Sequence, residues 1–212
     1  MFHLNSVGLS VDNIYQASMR LRGDTGLGFY DGGWNPPATA NRIFPLGAGA
    51  YIQMTGPVGP DAAKTPAGER FMGLALRADS EAELNAVAQR HGLSPVRNSP
   101  HGRIRPDGEP VSVAVLGPGT SPFRGQPSLY YFDEPWAHPS GQPVEPAADL
   151  RRPGGVLWAE IGGDAASLAD WLGQPADHLP LRFNGQAPGL YAIGVAVDGD
   201  EVVIRRPAAT GA

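Results

Sequence analysis

The chain has 212 residues, among them 29 glycines, 22 prolines and no cysteine. Hydrophobic residues make up 42% and charged residues 17%, and 16 basic against 21 acidic side chains leave a net charge of −5. Such a composition predicts a packed core of many short elements joined by stiff turns. It excludes disulfide scaffolds, thiolate metal sites and thiol nucleophiles, and argues against nucleic acid and anionic membrane surfaces as partners.

No apolar run approaches the roughly 20 residues of a spanning helix. The start, MFHLNSVGLSVDN, lacks the basic and unbroken apolar regions of a leader. The expectation is a soluble cytoplasmic protein with no membrane partner.

In chain order, residues 4–11 read as a strand running into Asp12-Asn13, either of which can cap a helix carrying Ile14, Ala17, Met19 and Leu21 and ending at Gly23. Strand material follows at 28–31, 42–46 and 50–55, the last two separated by Gly47-Ala48-Gly49. A second strand at 71–78 leads into Ser80-Glu81-Ala82-Glu83, a capping box, then a helix carrying Leu84, Val87, Ala88 and His91, with Gly92 just past its end. Strands at 103–105, 111–116 and 128–132 complete that unit. A third strand at 156–161 precedes an Asp164-capped helix with Leu168, Trp171 and Leu172, and then strands at 181–183, 190–197 and 201–205.

The order β-α-β-β-β thus occurs three times, over residues 1–60, 68–136 and 153–206. A unit of this kind must bury one sheet face, so repetition predicts an α+β fold in one compact structural domain. The Pro-rich stretch 137–152 reads as a crossing linker, 57–68 as a shorter one and 207–212 as a tail.

The first unit carries Gly32-Gly33, Ala38-Thr39-Ala40-Asn41-Arg42 and Ala50-Tyr51-Ile52-Gln53-Met54. The second has Arg105-Pro106-Asp107-Gly108 and Tyr130-Tyr131-Phe132 followed by Trp136 and His138-Pro139. Taken in this order, these motifs resemble the glyoxalase-like branch of the vicinal oxygen chelate superfamily, which includes glyoxalases, bleomycin-resistance proteins and dioxygenases. The resemblance implies repeated βαβββ modules forming curved mixed sheets around a cup-shaped pocket. It also implies a divalent metal in the cup, held by a His on the first strand and a Glu on the last strand of a module. The chain departs from that pattern, for Ser6 stands at the His position and Gln53 at the Glu position. A hydroxyl and a neutral amide are poor ligands for a first-row divalent ion. The expectation is that the usual metal site is missing and that no cofactor is used.

The remaining candidates are weighed on local grounds. His138 is carried by a matched motif, and a neutral imidazole can act as acid or base; as a loop residue beside Pro139 it can equally be a packing group. Arg103 and Arg105 alternate on one strand, facing either the cup, where they suit an anionic ligand, or solvent. Asn41 and Arg42 point to opposite faces. Trp34, Tyr131 and Trp136 are candidates for an apolar wall, and Ser6 and Gln53 need polar partners if they face inward. His91, on an apolar helix face, reads as a core or rim residue. No nucleophile elbow, Walker loop or dinucleotide fingerprint is present.

The leading expectation is a metal-independent small-molecule lyase or isomerase, with His138, Arg103 and Arg105 in the electrostatic and proton-transfer roles. One alternative is a non-catalytic binding or sequestering protein of the resistance type, and another is a divalent-metal enzyme with atypical ligands. The partner in each case is a small-molecule ligand or substrate, and pairing of edge strands between chains leaves a homodimer open.

Overall fold

A computed structural model describes residues 1–35, 39–57, 69–97, 112–117, 126–134, 136 and 138–205. Among them are twelve strands and three α-helices in two sheets. The first unit comprises β1 (Phe2–Ser10), α1 (Ile14–Thr25), β2 (Tyr30–Asn35), β3 (Thr39–Gly47) and β4 (Ala50–Pro57). The second comprises β5 (Arg70–Ala78), α2 (Glu81–Arg90), β6 (Val96–Arg97), β7 (Val113–Leu116) and β8 (Ser128–Phe132). Together they make an eight-stranded sheet ordered β2-β3-β4-β1-β5-β8-β7-β6, the curled half-barrel of an α+β fold. Each unit pairs its first and last strands in parallel, β1 with β4 and β5 with β8, and the two first strands join antiparallel.

Apolar residues decide which way the sheet faces. Phe2, Leu4, Val7, Leu9, Phe44, Leu46, Ile52, Met54, Leu74, Leu76, Leu116 and Leu129 are buried in one core. The buried positions of β1 change parity between Leu4 and Val7. The sheet absorbs this with a bulge at Asn5, the residue skipped when Leu4 pairs with Leu76 and Ser6 with Ala75. Asn5 and Ser6 are therefore both released from the apolar face.

Asn13 caps α1, its side chain accepting from the backbone N–H groups of Tyr15 and Gln16. The helix runs past Gly23, the stop expected from sequence, to Gly26 at φ 75°. Its buried stripe continues through Ile14, Ala17, Ser18, Leu21 and Thr25, whereas Met19 is exposed. Apolar contact extends the helix one turn, to a glycine that can take the left-handed conformation. In the capping box, Ser80 receives the Glu83 N–H, and the Glu83 carboxylate reaches the Asp79 N–H rather than that of Ser80. The short β6 was not foreseen; its Arg97 binds Ser112, Asp133 and Glu81.

The third unit comprises β9 (Pro153–Ile161), α3 (Ala165–Leu172), β10 (Leu181–Phe183), β11 (Leu190–Val197) and β12 (Asp200–Arg205). It repeats the order of elements but not their pairing. Its sheet runs β10-β9-β11-β12, so β9 gives both edges to its own unit. In the first two units the opening strand keeps one edge for its counterpart, which is how the large sheet forms. The small sheet instead packs its apolar face, with Ala159, Ile161, Ile193, Val195 and Val197, into the common core.

The stretch read as a linker is a strap packed on the first unit. Its 3₁₀ turn, Pro139–Gly141, lies against β3 and β4. Tyr30 Oη donates to the Pro139 carbonyl at 2.8 Å, Arg22 pairs with Asp149, and Arg151 N–H donates to the Gly26 carbonyl at 2.9 Å. No helix among the described residues is long and apolar enough to cross a membrane.

Candidate functional site on the concave sheet face

Strand register fixes what the face opposite the core presents. One row across the sheet is Gln53, Gly8 and Gly73; the next is Tyr51, Ser6, Ala75 and Ser128; a third is His3, Arg77 and Tyr130. Small groups thus floor the middle, and aromatic side chains stand on either side: Tyr51 on β4, Tyr130 and Phe132 on β8.

His138 stands over this floor, 3% exposed. Its ring meets Tyr51 edge-on at 5.5 Å and Phe132 at 4.8 Å. Nε2 lies 2.7 Å from Asn5 Oδ1, and Nδ1 lies 2.8 Å from Ser140 Oγ and 3.2 Å from the Ser140 backbone nitrogen. The carbonyl oxygen of Asn5 can only accept, so Nε2 carries the proton; the Ser140 N–H can only donate, so Nδ1 is bare. His138 is therefore a neutral imidazole of fixed tautomer, bonded at both nitrogens. The order hydroxyl, imidazole, amide is also that of a nucleophilic triad. Here, however, the backbone N–H occupies the lone pair that would take the serine proton, and the contact works as a cap on the 3₁₀ turn.

Asn5 completes the cluster. Its amide nitrogen donates to Ser6 Oγ at 3.3 Å and Tyr51 Oη at 3.4 Å, and the residue is fully buried. Burial pushes the Tyr51 phenol well above its ordinary value, the nearby Tyr130 phenol adds to this, and the Ser6 and Asn5 hydrogen bonds oppose it. Burial raises Tyr130 as well. Unfolded phenols ionise near pH ~10, so the folded state's preference for neutral rings stabilises it fully below that pH and is lost as pH rises beyond it. Thermal unfolding scans from about pH 9 to 11 are expected to show falling stability in the wild type and a shallower fall in Tyr51→Phe.

The other anticipated residues divide between the two faces. Gln53 is on the concave face, half-buried, its amide without a hydrogen-bond partner among the described residues. Asn41 shares that face and accepts from Thr55 Oγ1 at 2.7 Å. Arg42 goes to the helix face, where it bonds Ser18 and Asp31 and lies over the Tyr15 and Phe29 rings. Tyr131 alternates away from Tyr130 and Phe132 and packs against the core. Trp136 is half-exposed, its carbonyl accepting from Gln142 Nε2 at 3.0 Å. Trp34 lies in edge strand β2 opposite Ala40. Arg103 and Arg105 fall outside the described residues. Asn5, Tyr51, Tyr130, Phe132 and Ser140 were not anticipated, although alternation from Gln53 leads back to Tyr51.

These groups do not fit a divalent ion. Ser6 and Gln53 offer a hydroxyl and an amide, and the imidazole turns an N–H, not a lone pair, toward β1. Among the described residues no three His, Asp or Glu side chains gather as a metal cluster.

Comparison with solved structures gives the fold its context. A hypothetical protein from Staphylococcus aureus matches with 10% identity and a TM-score of 0.55, over 96% of this chain and 98% of its own. That likeness is one of fold, and it takes in the third unit. Methylmalonyl-CoA epimerase from Mycobacterium tuberculosis matches at 15% identity and a TM-score of 0.41, over 61% and 86% of the two chains. A Streptomyces coelicolor methylmalonyl-CoA epimerase variant in complex with 2-nitronate-propionyl-CoA matches at 14% and 0.42, over 62% and 98%. A search of curated proteins finds no match. The model of the Glyoxalase-like domain matches residues 7–157, taking in the paired units and the strap. On that match the chain belongs to the glyoxalase-like domain family of the vicinal oxygen chelate superfamily.

Proposed function

We propose that the protein binds a small organic molecule on the concave face of its large sheet without a metal, and that it holds or sequesters this molecule rather than transforming it. The observation that carries this reading is the state of His138, neutral and bonded at both nitrogens within the protein. A base must have its lone pair free for the substrate proton, and a metal ligand must offer its lone pair to the ion. Neither is available from this imidazole. What Ser6, Gln53 and Tyr51 supply is uncharged hydrogen bonding beside aromatic rings, which suits recognition of a small, partly apolar ligand.

The test is a screen of small carbonyl and aromatic compounds against the purified protein in excess EDTA, followed by ring-proton NMR of the tyrosines. The expected result is that a hit shifts the Tyr51 or Tyr130 signals in EDTA and is recovered chemically unchanged. Binding that requires a stoichiometric divalent ion overturns the metal-free reading. Turnover overturns the binding reading and returns a lyase or isomerase, with His138, Arg103 and Arg105 the first residues to substitute.

A further inference from the structure

One charged group on the concave face is left unused by the His138 cluster. Arg77 lies opposite His3 on one side and Tyr130 on the other, in a row facing away from the buried Leu76 and Leu129. It is half-buried, and among the described residues it has no hydrogen bond or ion pair. Its guanidinium reaches across β1 to the turn before β4, where a Cβ on Gly49 would stand 3.5 Å from Nη1 and 3.6 Å from Nη2. Gly49 has φ 80°, so the turn itself requires glycine, and the guanidinium lies within van der Waals reach of it. The acidic residue just past the end of the strand, Asp79, is occupied by His3 and the N-terminal ammonium. A half-buried cation with no ion pair among the described residues is the complement of an anion.

We propose that Arg77 forms an anion subsite of the concave face and that the ligand carries a carboxylate there. The inference rests on the reading of that face as a ligand site. A single planar guanidinium matches the two oxygens of a carboxylate. The Asp79 carboxylate close by, on a chain of net charge −5, disfavours a phosphate dianion. Tyr130, next in the row, adds an aromatic wall, so a carboxylate joined to a flat apolar body is the class of ligand that fits.

Benzoate and its neutral isostere benzamide are the probes, titrated calorimetrically into the full chain with the Tyr51 and Tyr130 ring signals followed by NMR. The wild type is expected to bind benzoate about tenfold or more tighter than benzamide, the worth of a charge-assisted pair. Arg77→Gln is expected to bring the ratio close to one, and Arg205→Gln, which removes an exposed cation on β12, to leave it unchanged. Equal binding of both probes by the wild type, with the tyrosine signals shifted, overturns the Arg77 assignment and leaves the ligand site standing. So does a preference that survives in Arg77→Gln. Failure of both probes to move the tyrosine signals overturns the subsite and the site reading together.

Discussion

Replacing His138 with alanine is expected to lower the unfolding free energy by about 3 kcal/mol, although the residue sits in a Pro-rich stretch between units. The loss has two parts. Removing a buried ring leaves a cavity between Tyr51 and Phe132, and Asn5 Oδ1, fully buried, is left without the donor now at 2.7 Å. An unsatisfied buried acceptor costs more than the net worth of the bond it has lost. The second part is separable by a double-mutant cycle. Asn5→Leu strands the His138 N–H and is expected to cost about 2–3 kcal/mol alone. Asn5→Leu combined with His138→Leu removes both polar partners and is expected to fall short of the sum by at least about 1 kcal/mol. Urea unfolding of the wild type, Asn5→Leu, His138→Leu and the double variant measures this. Strict additivity sinks the claim that the Asn5–His138 bond joins the strap to β1.

That bond also marks where sequence reading stops. Strands in each unit were legible because alternation and turn residues are local signals, and 128–132, 181–183 and 190–197 match the strands observed, whereas the strand expected at 103–105 lies outside the described residues and the two-residue β6 is too short to carry such a signal. That Ser6 and Gln53 share one face of the sheet was legible from alignment to a family motif. The bulge at Asn5 was present in the sequence as a change of apolar parity, Phe2 and Leu4 followed by Val7, Leu9 and Val11. It passes unnoticed unless the strand is checked for phase. The role of His138 had no local signal, because its partner is 133 positions away and the surrounding 137–152 has no periodicity. In the aromatic strand, alternation separates Tyr131 from Tyr130 and Phe132, yet only the buried neighbours show which of the two sets faces the core. Strand order in the third unit was hidden for a related reason. Element order is written in the chain, whereas pairing depends on which edges the rest of the fold leaves open.

The largest loss of stability is expected at the joint that fastens this third unit to the second. Trp171 is 2% exposed and lies near the C-terminal end of α3. Its indole N–H donates to the Pro127 carbonyl at 3.1 Å, just ahead of β8. Its ring lies 4.6 Å from that of His91, and the His91 Nε2 donates to the Trp171 carbonyl at 2.9 Å. One side chain thus fills the space between α2 and α3, and its carbonyl, one of the last four of α3, is satisfied from outside the helix. Trp171→Ala is expected to cost about 4 kcal/mol, most of it from the cavity, whereas Trp171→Phe keeps a ring and is expected to cost about half as much. A further consequence separates this joint from an ordinary core site. Without the indole, the small sheet keeps its own ladders but loses an anchor, so the amides of β9 to β12 are expected to open as a unit below the free energy of global unfolding. Native-state hydrogen exchange on Trp171→Ala reads this directly. Uniform loss of protection across both sheets would show instead that the third unit has no stability separable from the whole.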